Sequence, residues 1–132
     1  MSEKSGSMSE DLELRIVSGP PRYTSRTGNP VEHVKLVDAN GALAGYFYAN
    51  DEDSAAGWVP AASATPDQQN LAASWSRILH SGKARGLKPS EALDELLAAS
   101  NPRSKLVANS RKKAASLTIL RELAAKPRPD VP

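Results

Sequence analysis

The chain has no cysteine and a single phenylalanine in 132 residues. The first absence excludes disulfides and cysteine-ligated metals, and it fits a reducing compartment. Aromatic residues are only 5% of the chain, so the core must come mainly from Leu, Ile, Val and Ala. No apolar run approaches the roughly 18 residues that a membrane span needs. Met1 to Glu10 is polar and lacks the apolar stretch of a signal peptide. The expected setting is cytoplasmic, with no membrane partner. The length is that of one ordinary domain.

Catalytic signatures fail on identifiable residues. A P-loop ending at Gly82-Lys83 would need glycine where Arg77 stands and Ser or Thr where Ala84 stands. There is no dinucleotide-binding glycine fingerprint and no nucleophile elbow. Asp51-Glu52-Asp53 is too short for an EF-hand, because oxygen ligands and the loop glycine would fall on Ala55, Ala56 and Ala62. Capping of a short helical turn through Ala55-Ala56, closed by Gly57, is the expected use of Asp51 or Asp53. His33 and His80 show no ligand spacing. A helix-turn-helix over residues 74–97 fails because the connection from Gly82 to Pro89 is too long. Its second helix would also bring Glu91, Asp94 and Glu95 to the phosphates. No cofactor and no metal are expected.

Asn40-Gly41 is the strongest positive signal. It lies between Val31–Val37 and Ala42–Ala49, runs rich in β-branched and aromatic residues, and marks a hairpin. A two-residue turn pairs Lys35 with Tyr46 and His33 with Tyr48, leaving Val34, Leu36, Leu43 and Phe47 on one apolar face. A type I turn over residues 38–41 with a bulge would shift this register by one. Leu12–Ile16 alternates strictly and reads as another strand, ended by Gly19-Pro20-Pro21. Residues 22–30 read as a mobile connection.

Thr65-Pro66-Asp67-Gln68 announces a helix: a capping threonine, a proline at the first helical position and a glutamine that reaches back. Leu71, Trp75, Ile78 and Leu79 give it one apolar stripe, and Gly82 is the expected stop. A second helix from Pro89 buries Leu93, Leu96 and Leu97 and ends at Asn101-Pro102. A third is expected from Ser110 to Ala125. The fold class is therefore α+β: a three-stranded antiparallel sheet in residues 11–60, then about three α-helices in residues 65–125, packed on one sheet face. Residues 1–10 and 126–132 read as disordered tails around this single domain.

Charge is divided. Residues 1–60 hold 5 Lys+Arg against 9 Asp+Glu, whereas residues 61–132 hold 12 against 6. Such asymmetry often accompanies a patch that meets an anionic partner. The candidate residues are Arg103, Lys105, Arg111, Lys112 and Lys113, the last three placed in a helical first turn where the macrodipole disfavours cations. A solvated basic face is the plainer explanation of the same run. A second candidate surface is the hairpin face carrying His33, Lys35, Tyr46 and Tyr48, since aromatics interleaved with cations can stack bases. Strand tyrosines also commonly pack under a helix. The expected function is a small non-enzymatic interaction module that binds a protein partner. The alternative is a nucleic-acid-binding accessory protein using the basic segment 103–113.

Overall fold

Asp38 shapes the hairpin. Its carboxylate accepts from the backbone N–H of Asn40 at 2.9 Å and of Ala42 at 3.0 Å, and its own carbonyl accepts from Gly41 N–H at 2.9 Å. Gly41 has φ +83°, which glycine adopts without steric penalty. The turn is thus type I with glycine at the left-handed position, not the two-residue turn. A computed structural model describes residues 21–126.

The turn joins β1 (Val31–Asp38) to β2 (Leu43–Asn50). Val37 pairs with Leu43, but Leu36 pairs with Gly45, so Ala44 is an extra residue on β2. Beyond it Lys35 faces Tyr46 and His33 faces Tyr48. Two one-residue irregularities therefore cancel. Turn chemistry follows the shifted alternative, and side-chain sorting beyond the bulge follows the unshifted one. Leu43 consequently leaves the Val34/Leu36/Phe47 face on which the sequence placed it, and Ala44 is buried there instead.

Strand β3 (Ala55–Pro60) pairs with β2, and β4 (Ser104–Ala114) pairs with β1, giving a four-stranded antiparallel sheet in the order β3-β2-β1-β4. This corrects two expectations. Ala55 and Ala56 begin a strand rather than a helical turn. Ser110 to Ala114 is strand rather than helix, so the strands are not confined to the N-terminal half. The expected strand at Leu12–Ile16 and the tail at residues 1–10 lie outside the described residues, as does all but Lys126 of the C-terminal tail.

Helix α1 (Pro66–Ala84) starts as its sequence announces. Thr65 Oγ1 accepts from Gln68 N–H at 3.1 Å and Gln68 Oε1 accepts from Thr65 N–H at 2.9 Å. Gly82 does not stop it. A Cβ there would lie 3.0 Å from the Ala92 methyl and the Tyr23 hydroxyl, so Gly82 is a packing position. The stop comes later, where Leu87 N–H bonds back to Gly82 O and Gly86 N–H to Lys83 O, a Schellman closure with Gly86 at φ +77°. Helix α2 (Pro89–Ala98) follows after residues 85–88, a shorter connection than the sequence indicated. Its Glu91, Asp94 and Glu95 remain exposed. Lys88 supplies no cap. Asp51 reaches across instead, accepting from Ser90 N–H at 2.8 Å and from Ser90 Oγ at 2.6 Å.

Helix α3 (Leu117–Ala125) begins at Ser116, whose hydroxyl accepts from Ile119 N–H. The helices do not share a face. One side of the sheet packs Val34, Leu36, Ala44 and Phe47 against Trp75, Leu79, Leu93 and Leu96 of α1 and α2. The other packs Val31, Tyr46, Tyr48 and Val59 against Leu117, Leu120 and Ala124 of α3. Residues 22–30 are tied down rather than loose: Thr24 bridges to Ala55, and the buried Tyr23 donates its hydroxyl to Leu87 O at 2.8 Å.

Candidate functional site

Strand β4 gathers most of the predicted cations, and sheet alternation decides where each one points. Directly opposed residues of an antiparallel ladder share a face. Leu106 faces Leu36 and so belongs to the α1/α2 side. Lys105 faces Val37 and Lys112 faces His33, so both belong to the α3 side, together with Lys35. Lys113 faces Glu32 on the α1/α2 side. The lysines at 35, 105, 112 and 113 are all exposed.

A wide bulge divides β4. His33 faces Lys112 and Lys35 faces Val107, so residues 108–111 stand opposite Val34 alone. Ser110 repairs the ladder there. Its hydroxyl accepts from Lys35 N–H at 2.9 Å and donates to Val107 O at 2.5 Å. The bulge also turns Arg111 away from the lysines. Arg111 pairs with Glu32 at 2.8 Å and with Asp94 of α2, which uses its charge within the fold. Arg103 precedes β4 and shares a cleft with Asp38 and Asp67.

The five predicted cations therefore do not form one patch. Lys105 and Lys112 share a sheet face with Lys35, which the sequence had assigned to the hairpin surface. Lys113 lies on the reverse face, Arg111 is neutralised, and Arg103 sits beside carboxylates. Positions 33 and 37 of β1 put Lys112 and Lys105 about 13 Å apart along the sheet, with Lys35 between them.

The aromatic half of the hairpin surface is not open. Tyr46 is 4% and Tyr48 2% exposed beneath α3, and the Tyr48 hydroxyl donates to Ser25 O at 2.7 Å. His33 is buried edge-on to Tyr46, with ring centroids 5.5 Å apart. Its Nδ1 is buried without a hydrogen-bond partner. Burial first, and then the Lys112 and Lys35 charges, hold its pKa below the ordinary histidine value. That repulsion is an electrostatic trace of the lysine cluster.

The sequence missed a second group of cations, Arg22 and Arg121, which line a cleft beside β3 with His80. They stand 99 positions apart in the chain, and no local pattern links residues so distant. Among the described residues no cluster of three His, Asp or Glu side chains could hold a metal ion, and no helix is long and apolar enough to cross a membrane. No family model matches the chain, and no curated protein or solved structure matches it significantly.

Proposed function

We propose that this chain is a small non-enzymatic interaction module that accepts an acidic, extended segment of a partner protein along the outer edge of β4. The observation that carries the reading is an 11-residue strand that among the described residues is paired on one side only, with Lys105, Lys112 and Lys113 exposed along it. A free edge offers main-chain donors and acceptors to an added strand, and its side chains select the incoming sequence. Edge lysines deter the same edge of a second copy, because like charges would meet. By the same electrostatics they favour an acidic chain. The histidines support a non-enzymatic role. His33 lies under the α3 side of the sheet and His80 on α1 over the other side, and among the described residues neither is bonded to a carboxylate or hydroxyl that would activate it.

One observation favours a second reading. Lys35, Lys105 and Lys112 share a single sheet face, an arrangement that could track a phosphate backbone without reading bases. The test titrates the wild type and a K105Q/K112Q/K113Q variant with an acidic peptide and with single- and double-stranded oligonucleotides at two salt concentrations. Amide resonances of residues 104–114 should shift with the peptide and stay fixed in the variant. Oligonucleotide binding that weakens steeply with salt, without peptide binding, would select the second reading. Failure to bind either ligand at low salt sinks both.

A further inference from the structure

We infer that the cleft beside β3 is a binding site for a small aromatic phosphate monoester of about mononucleotide size. The cleft has a volume of about 350 Å³, within the range of small-molecule sites and more than a bare phosphate would fill. Other clefts on the molecule are as large, but their linings differ. Those beside β1 and β2 include Glu32, Asp51 and Glu52 or Asp38 and Asp67. Among the described residues the β3 cleft is lined by no carboxylate and by two arginines, Arg22 and Arg121.

The other arginines with ion pairs are engaged elsewhere in the fold. Arg85 is held by Glu95, and Arg111 by Glu32 and Asp94. Among the described residues Arg22 and Arg121 have no ion pair and no side-chain hydrogen bond. They come from opposite sides of the sheet edge, Arg22 from the segment before Tyr23 and Arg121 from α3. Two arginines that line one space, with no carboxylate beside them among the described residues, suit a phosphate, which guanidinium groups hold by charge-assisted, bidentate bonds.

Neutral donors complete the lining. Tyr23 N–H donates to His80 Nδ1 at 3.2 Å, so the neutral imidazole carries its hydrogen on Nε2. Burial, followed by the Arg22 charge, favours that neutral form. Ser76 adds a hydroxyl from α1. The strand edge adds backbone. Ala56 N–H points outward to Thr24 O at 2.9 Å; by alternation the Trp58 peptide faces the same way, and it has no strand partner there among the described residues.

Trp58 accounts for the aromatic part of the ligand. Its ring is half-buried against Phe47, at 4.8 Å between centroids, while also lining the cleft. A fixed, partly exposed indole beside an anion site is a stacking platform for a planar ring.

Three probes separate the parts of this ligand: adenosine monophosphate, adenosine and inorganic phosphate. Fluorescence titration of the whole protein should show saturable quenching by the monophosphate, absent in W58F. Adenosine and phosphate alone should each bind at least about tenfold more weakly, and R22Q/R121Q should lose about tenfold or more in affinity for the monophosphate. K105Q/K112Q/K113Q should bind it as the wild type does. No saturation by millimolar monophosphate at low salt overturns the inference. So does an R22Q/R121Q protein, shown by circular dichroism to be folded, that retains full affinity. Loss of binding in the lysine variant alone would move the anion site to β4 and equally overturn it.

Discussion

Trp75 Nε1 donates to Ser104 Oγ at 2.8 Å, fastening the middle of α1 to the first residue of β4. Trp75 is 2% exposed and Ser104 4%, so both the ring and its polar tip are satisfied away from water. Trp75→Ala should cost about 3–5 kcal/mol in urea unfolding. Ser104→Ala, which strands the indole N–H, should cost about 1–3 kcal/mol. A Trp75→Ala protein close to wild-type stability would remove the residue from its role as anchor.

Two glycines of the hairpin should respond differently to the same methyl group. A Cβ on Gly41 meets nothing within 4 Å, so Gly41→Ala carries only the strain of a positive φ, about 1–2 kcal/mol. A Cβ on Gly45 would stand 2.4 Å from Val59 O and 2.6 Å from the Trp58 ring. The first neighbour is backbone and cannot swing away. Gly45→Ala should reach or exceed the upper end of the about 1–3 kcal/mol usual for overpacking. Equal midpoints for the two variants would contradict the close approach of β2 and β3.

Acid should destabilise the protein through its histidines. Burial, then nearby cations, lowers the pKa of both His33 and His80 in the folded state. The unfolded chain therefore binds more protons as pH falls below about 6.5. The stabilisation is complete above that value and is lost as pH falls through the lower, folded values. His80→Asn puts an amide oxygen near the position of Nδ1, where it can accept from Tyr23 N–H without titrating. Its stability should drop less than that of the wild type between about pH 7.5 and about pH 5.5. An unchanged slope would exclude His80 as a contributor.

Arg111 and the lysines should separate cleanly. Arg111→Gln removes partly exposed pairs with Glu32 and Asp94 and should cost about 1 kcal/mol or less, leaving the affinity of β4 for an acidic peptide unchanged. Lys105→Gln with Lys112→Gln should do the reverse: little effect on stability, weaker binding and a shallower salt dependence. Weaker peptide binding in Arg111→Gln would return this residue to the contact surface.

Local chemistry made some elements legible and hid others. The start of α1 could be read because four adjacent residues, 65–68, state it completely. The buried stripe of α3, Leu117, Leu120 and Ala124, was readable from helical spacing. Its start was not, because helix-compatible residues run back through Arg111–Lys113 and only Ser116 marks the boundary. Strand β4 escaped notice since its pattern is broken by a bulge that Ser110 closes, and its pairing partner lies 75 positions away. The cap of α2 was invisible for the same reason: Asp51 is remote in sequence from Ser90. Of the candidate surfaces, exposure of the lysines was legible from composition. Their division between two faces, and the burial of Tyr46 and Tyr48, depended on tertiary packing.

The extra residue in β2 makes that strand unusually tolerant of one particular deletion. Removing any single residue between Gly45 and Asn50 would invert part of the strand, exchanging the aromatic rings of one layer for those of the other. Removing Ala44 inverts nothing, because Leu43 and Gly45 already point to opposite sides. The loss would be confined to a buried methyl and to the carbonyl that accepts Ala61 N–H at 2.9 Å. Ala44 is thus a position at which the length of the hairpin can vary while the parity of every downstream side chain is conserved.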